Sequence, residues 1–187
     1  MENTLNPQIA STQKTKLMTR IAVLTALGAV LYRLEIPFMV AHLKIDPSVI
    51  PSLVGGLMMG PIAGVTIELL KNISHLFVSS TLGVGELINF IVGSSLVVPI
   101  SLIYRKNSNK KNFIIGAVAS LIVTLIIGAI CNYLLTPVFY AVMNLPDPTH
   151  AEIMGFVMAS FGLNSFKTFV TVAPTFFMLN MIEQNKF

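Results

Sequence analysis

Charged and amide side chains interrupt the long apolar segments of this 187-residue chain. They are Glu68, Lys71, His75, Glu86 and Lys167, together with the amides Asn72, Asn89, Asn132 and Asn164. A charge at the centre of a bilayer costs about 3 kcal/mol or more on insertion scales, so ionisable groups in membrane segments mark candidate functional sites. Ammonium groups donate hydrogen bonds, whereas an amide both donates and accepts. These residues indicate a polar chamber suited to a planar heterocycle rich in carbonyl and ring-nitrogen groups.

Membrane helices are the elements that must position these residues. Of all residues, 54% are hydrophobic and 11% are charged, and the mean hydropathy is +0.79. A globule of this length could not cover so much apolar surface, which excludes a soluble protein. At roughly 20 residues a span, the chain holds about six short spans. We predict an all-α integral membrane protein, a bundle of six transmembrane helices in one domain at residues 17–183, after a polar cytoplasmic leader at residues 1–16.

The basic residues predict how this bundle is oriented. Eight of the twelve flank the first span, fill one polar loop or lie near the C-terminus: Lys14, Lys16, Arg20, Arg105, Lys106, Lys110, Lys111 and Lys186. By the positive-inside rule, both termini and the 105–111 loop lie in the cytoplasm, and the protein resides in a plasma membrane. The cations do not gather on one soluble face, so they do not indicate nucleic-acid binding.

Helical geometry brings the polar side chains to one end of the bundle. Residues 68, 71, 72 and 75 have the i, i+3, i+4, i+7 spacing of a single helical face. At 1.5 Å per residue, Lys167 and Asn89 lie roughly 22 Å above the inner ends of their spans, and Asn132 roughly 28 Å. The inner half of the bundle is almost entirely apolar. This asymmetry favours an outward-facing binding pocket over a channel, which would need a lining on both sides.

The segments beside this pocket carry local signals of their own. Residues 35–46 are predicted to form an outer loop folded against the bundle. Asp46 and Pro47 have the residue types of an N-cap and a first helical position, so a short helix is predicted from Pro47 to Met59. Four aromatic side chains are candidate flat walls for a bound ring: Tyr133, Phe139, Phe161 and Phe166.

Other interpretations of the same residues remain open at this point. His75 is more typical of a hydrogen-bonded helix histidine than of a metal ligand, because no second His lies at ligand spacing, and we predict no metal site. Lys71 and Glu68 belong either to the chamber or to a structural pair. An intramembrane enzyme using Glu86, His75 or Lys71 in acid–base chemistry is a remote alternative, since no nucleophile–base pair is evident. A purely structural subunit would leave the buried lysines unexplained.

Several motifs resemble those of a known transporter family. They are Asp46-Pro47-Ser48-Val49-Ile50-Pro51, Gly55-Gly56 with Gly60-Pro61 and Gly64, Glu68-Leu69-Leu70-Lys71-Asn72-Ile73-Ser74-His75, Gly83-Val84-Gly85-Glu86-Leu87-Ile88-Asn89-Phe90, and Asn164-Ser165-Phe166-Lys167. On these residues the chain resembles the substrate-binding S components of energy-coupling factor (ECF) vitamin transporters of bacteria, most closely the riboflavin-specific type. The resemblance covers roughly residues 18–182.

The resemblance implies roles for individual residues. Asn132, Asn164 and Lys167 would bind the flavin ring system, and the outer loop from Met39 to Lys44 would close over the substrate. The full predicted substrate-binding set is Asn132, Asn164, Lys167, Glu86, Asn89, Lys71, Met39 and Lys44.

The resemblance also implies partners and a transport cycle. Ala22 and Ala26 match the family's Ala-x-x-x-Ala contact motif, which docks on a transmembrane coupling subunit driven by two ATPases. The chain would then be no enzyme itself and hold no cofactor, with riboflavin as transported substrate. A different ligand on the same scaffold, FMN or another vitamin, is the main alternative. FMN would require cations near the outer mouth, where Arg33, His42 and Lys44 are the candidates.

Overall fold

The structure is a computed structural model that describes residues 7–34, 36–38, 40–79 and 81–184, with the backbone alone for residues 7–10 and for the strand residues from 37 to 45. Within these ranges it contains six α-helices and one β-hairpin. The helices are α1 (Pro7–Tyr32), α2 (Val49–Met59), α3 (Pro61–His75), α4 (Val84–Lys106), α5 (Lys110–Val142) and α6 (His150–Gln184). The hairpin pairs β1 (Ile36–Phe38) with β2 (Val40–Ile45) in antiparallel fashion, and a 3-10 turn at Leu76–Val78 extends α3.

Four of the helices are long and apolar enough to cross a membrane: α1, α4, α5 and α6. The other two, α2 with 11 residues and α3 with 15, are roughly 16 and 22 Å long, shorter than the roughly 30 Å hydrocarbon layer. A tight turn joins them at Gly60, whose φ of 110° favours glycine because that backbone conformation is strained for other residues. Pro61 then opens α3 with a φ already suited to a helix.

The apolar core fills the end of the bundle near the 105–111 loop, where α2, α4, α5 and α6 meet. Its most buried members are Val49, Leu53, Leu57, Leu96, Val97, Ile100, Tyr104, Phe113 and Leu179. Close helix contact depends on small residues: a Cβ added at Gly116 would lie 2.9 Å from the Cα of Ile100, so α4 and α5 could not approach as they do. The polar side chains are thereby left to the opposite end of the bundle.

Three local predictions differ from the structure. Helix α1 begins at Pro7, so part of the predicted leader is helical. Residues 36–38 and 40–45 form the strands of a hairpin where an outer loop was predicted, so the all-α class is correct for the bundle and wrong for this segment. Helix α2 starts at Val49, two residues after the predicted start, because the Asp46 carboxylate accepts a hydrogen bond from the Ser48 amide (3.0 Å) and holds a turn there.

Candidate functional site

A cavity at the polar end of the bundle brings together five of the predicted site residues. We call it the ligand cavity. Its polar lining is Asp46, Thr81, Glu86, Asn89, Asn132, Asn164 and Lys167, and its larger apolar lining is Tyr32, Ile88, Val92, Phe139 and Leu163. The cavity volume is about 70 Å³, several times the roughly 10–15 Å³ that one water needs.

Lys167 of α6 lies at the centre of the polar lining. Its ammonium group donates a hydrogen bond to Asp46 Oδ2 (2.9 Å) and another to Asn89 Oδ1, and only 4% of the residue is exposed. These contacts join α6, α4 and the segment between β2 and α2. Because a buried charge is tolerated only with a close partner, the Lys167–Asp46 pair makes the cationic site possible and fixes the three elements together.

Asp46 remains ionised in this arrangement. Burial by itself raises the pKa of Asp46, but the ammonium groups of Lys167 and Lys71, together with hydrogen bonds from Ser48 and Lys167, lower it to about 2. The negative charge of Asp46 therefore compensates the positive charge of Lys167 at neutral pH. The cavity presents Lys167 as a hydrogen-bond donor whose charge is already balanced.

Two amide side chains leave hydrogen-bonding atoms for a ligand. Asn132 Nδ2 donates to the carbonyl of Gly128 (2.8 Å), and Asn132 Oδ1 is buried without a partner in the described part of the chain. Asn89 Oδ1 accepts from Lys167, and within the same described residues Asn89 Nδ2 has no partner. Since buried polar atoms are nearly always satisfied, one acceptor and one donor are available at the cavity.

Asn164 reaches the cavity because glycine stands opposite it. A Cβ at Gly128 of α5 would lie 2.1 Å from Asn164 Nδ2, so any side chain there would displace the amide. Asn164 is 3% exposed and lies one helical turn before Lys167, which places both on the cavity face of α6. The structure brings Asn132, Asn164 and Lys167 together in the lining of the ligand cavity.

Glu86 holds one side of the cavity rather than offering a free carboxylate. One oxygen contacts His75 Nδ1 (2.8 Å) and the other accepts a hydrogen bond from the Thr81 hydroxyl (2.8 Å). The His75 ring stacks on Tyr32, with 3.8 Å between ring centroids and 13° between planes. His75 is thus a hydrogen-bonded helix residue, as predicted. Across the described residues, no group of three or more His, Cys, Asp or Glu is arranged to hold a metal ion.

Lys71 lies behind the ligand cavity and does not line it. Its ammonium group pairs with Glu68 Oε1 (2.8 Å) and donates to the Ser48 hydroxyl, which in turn donates to Asp46. All four side chains are buried. Lys71 therefore supports Asp46 from the side away from the cavity, and the alternative of a structural pair with Glu68 matches this placement.

The remaining predicted residues are placed as follows. Phe139 lines the cavity, whereas Tyr133, Phe161 and Phe166 do not, and each of these three is more than a third exposed. Met39 lies outside the described residues, and only the backbone of Lys44 is described. Ala22 and Ala26 lie exposed on the outer face of α1.

Sequence reasoning missed Asp46, Tyr32 and Thr81 as cavity residues. Asp46 was assigned only to a helix start, because an Asp before a helix is an ordinary N-cap and its cationic partner, Lys167, lies 121 positions further along the chain. Tyr32 and Thr81 carry no local signal either, because a single Tyr or Thr at a helix end has many ordinary roles.

Comparison with known proteins identifies the family. The family described as "ECF transporter, substrate-specific component" matches residues 16–183. The chain belongs to this family. Its relatives include the riboflavin transporter RibU of Staphylococcus aureus (strain TCH60), 33% identical over 138 residues, which are 72% of this chain and 73% of the relative. The riboflavin transporter FmnP of Bacillus subtilis (strain 168) is 26% identical over 152 residues, which are 78% of this chain and 80% of the relative.

A solved structure extends the comparison to the fold of this S component. The structure of the S component of a bacterial ECF transporter superposes with a TM-score of 0.77 at 27% identity, covering 92% of this chain and 97% of that one. A substrate-specific component requires a site for a small solute. The ligand cavity, with its buried cation and two amides, is the candidate for that site in this S component.

Proposed function

We propose that this S component is the riboflavin-binding subunit of an ECF importer. Its ligand cavity would capture the vitamin and present it to a coupling subunit. The observation that carries the proposal is the charge-balanced Lys167, flanked by Asn132 Oδ1 and Asn89 Nδ2, two atoms that have no partner among the described residues. The two relatives named as riboflavin transporters support the choice of ligand.

The chemistry of the cavity suits the polar edge of a flavin ring. That edge alternates carbonyl oxygens with a ring N–H, so it needs both donors and acceptors from the protein. Asn132 Oδ1 can accept from the ring N–H, while Lys167 and Asn89 Nδ2 can donate to carbonyls. Apolar side chains of Val92, Phe139 and Leu163 can cover the flat faces of the ring.

The charges of the cavity favour riboflavin over its phosphate ester FMN. Lys167 is the one cation among the described lining residues, and Asp46 already neutralises it. Glu86 adds a carboxylate to the same lining. A phosphate carries a charge of about −1.5 to −2 at pH 7 and would be desolvated here without a free cation.

In the membrane, we propose six spans with both termini on the cytoplasmic side of a bacterial plasma membrane. The short helices α2 and α3 would each count as one span, and the four longer helices would supply the other four. Basic residues at the 105–111 loop support a cytoplasmic position for that end. The ligand cavity would then open to the outside.

Docking on the coupling subunit is proposed for the outer face of α1. Ala22 and Ala26 are exposed there, with Val23 and Leu27 beside them. Small side chains permit close approach between helices in lipid, where no hydrophobic driving force brings helices together. Two ATPase subunits would bind the coupling subunit and hydrolyse ATP, and this chain would perform no catalysis itself.

The proposal is tested by titrating the purified chain with riboflavin and with FMN while following the fluorescence of the flavin. The fluorescence of riboflavin is expected to be quenched on binding. The affinity of the chain for riboflavin is expected to be at least tenfold higher than its affinity for FMN. Equal affinities would contradict the charge argument. Binding of neither flavin, with binding of a different vitamin, would overturn the proposed substrate while leaving the family intact.

A further inference from the structure

A second cavity opens on the membrane-facing side of the bundle between α5 and α6. We call it the lipid groove, and its volume is about 500 Å³. Short side chains of Ala117 and Ala173 are partly buried within it, and the larger Ile114, Phe169 and Phe177 are exposed at its edges. The lining is apolar apart from Ser165 and Thr168. The groove shares no lining residue with the ligand cavity, so substrate binding does not explain it.

The length of the groove matches one leaflet of a bilayer. On α5 its lining runs from Phe113 to Leu121, and on α6 from Ser165 to Phe177. At 1.5 Å per residue these stretches span roughly 12 and 18 Å, and half of the hydrocarbon layer is roughly 15 Å. A single acyl chain lying along the groove would therefore extend from the membrane surface to the midplane.

Positive charge gathers at one end of the groove. Lys110 Nζ lies 5.9 Å from the ring centroid of Phe176, which lines the groove, and Lys111 is exposed beside it at the start of α5. Arg105 and Lys106 end the preceding helix. Glu183, at the end of α6, adds one carboxylate and accepts a hydrogen bond from the Tyr104 hydroxyl (3.0 Å), so basic residues outnumber it at this end of the bundle. Basic residues at a membrane surface attract anionic headgroups.

We propose that the lipid groove binds an anionic phospholipid, with an acyl chain along α5 and α6 and its headgroup against Lys110 and Lys111. The apolar length and the cationic end are both required for this assignment. An apolar groove alone would accept any lipid chain, and a basic loop alone would attract headgroups without holding a tail. Lys110, over the ring of Phe176, joins the basic end to the apolar lining.

The sequence contains no Trp, so one introduced Trp reports on a single place. The reporter is Phe177→Trp, at the cationic half of the groove, and its matched control is Leu102→Trp, an exposed residue of α4 near the same end but outside the groove. The full chain is placed in phosphatidylcholine vesicles that contain a minor fraction of phosphatidylglycerol with brominated acyl chains. Bromine quenches Trp fluorescence on contact.

We expect quenching at Phe177→Trp to exceed that at Leu102→Trp at least twofold. When Lys110→Gln and Lys111→Gln are added, quenching at Phe177→Trp should fall to the level seen at Leu102→Trp. The same fall is expected when the brominated lipid is phosphatidylcholine instead of phosphatidylglycerol. Equal quenching of the two reporters would overturn the proposal. So would an excess that survives the lysine substitutions or shows no headgroup preference. Shielding of Phe177→Trp from every brominated lipid would instead assign the groove to a second copy of the chain, and would also overturn the proposal.

Discussion

The ion pair between Lys167 and Asp46 is the residue-level feature on which the ligand cavity depends. Both side chains are nearly fully buried, and 121 positions of sequence separate them. Removing one partner of a buried pair leaves an uncompensated charge, whereas removing both replaces the pair with neutral groups. The two kinds of substitution should therefore differ sharply in their effect on stability.

Asp46→Asn is expected to destabilise the protein by about 3–5 kcal/mol, because Lys167 keeps its charge without a partner. The double variant Asp46→Asn/Lys167→Met should recover a large part of that loss, although it should bind flavin weakly. Thermal unfolding in detergent measures both effects. If the double variant is no more stable than Asp46→Asn, the two residues do not form the energetic pair described above.

The amides of the cavity give a prediction about affinity. Asn132→Leu and Asn164→Leu should each weaken riboflavin binding about 5- to 30-fold, corresponding to roughly 1–2 kcal/mol for one lost hydrogen bond in a buried site. Asn180→Leu is the control, since Asn180 is exposed on α6 away from the cavity. Titration of flavin fluorescence gives the three dissociation constants. Unchanged affinity in both cavity variants would remove these amides from the site.

Among the helices, α1 contributes to the ligand cavity on one face and carries the proposed docking surface on the other. Tyr32 faces inward and lines the ligand cavity, while Ala22 and Ala26 face outward. A bulky residue on the outer face should therefore disturb docking without changing the cavity.

Ala22→Trp or Ala26→Trp should leave riboflavin binding by the isolated chain within about twofold of the original, and should abolish uptake by the assembled transporter. Close helix contact is lost when a small residue becomes large. Ile126→Trp, exposed on α5, is the control and should support uptake. Uptake of radiolabelled riboflavin into proteoliposomes that contain the complete transporter measures the effect. Normal uptake by both alanine variants would show that another surface docks.

The contact between α3 and α4 depends on the absence of a side chain at Gly93. A Cβ there would lie 2.1 Å from Glu68 Oε1, the atom that pairs with Lys71. Gly93→Ala should therefore destabilise the protein by about 1–3 kcal/mol, the usual cost of overpacking.

A second glycine on the same kind of element supplies the control. Gly155 of α6 has nothing within 4 Å of an added Cβ, so Gly155→Ala should be neutral or stabilising by up to about 1 kcal/mol through helix propensity. Thermal unfolding compares the two variants. Equal changes in stability would mean that the Glu68 contact does not restrict Gly93.

Local patterns predicted the helices and the polar face of α3 because both are encoded within a few turns. Helix α2 ends at Met59 as predicted, and Glu68, Lys71, Asn72 and His75, predicted to share one helical face, all lie buried on α3. The role of Asp46 depends on Lys167, far along the sequence, so no local pattern could reveal it. Three of the four candidate aromatic walls lie outside the cavity, because periodicity does not fix which side of a long apolar helix faces inward.

In the molecule as a whole, the polar ligand cavity and the apolar core lie toward opposite ends of the bundle. Leu53, Val97 and Ile100 are completely buried in the core that packs α2 against α4. This arrangement agrees with a component that binds a substrate and relies on partner subunits for transport.

The absorbance spectrum of the chain, expressed in bacteria and purified alone in mild detergent without added ligand, tests the central claim most directly. We expect a flavin spectrum at close to one flavin per protein, which chromatography of the released compound identifies as riboflavin. A colourless protein that also fails to quench the fluorescence of added riboflavin would contradict the account. It would mean that the ligand cavity of this S component serves a different solute.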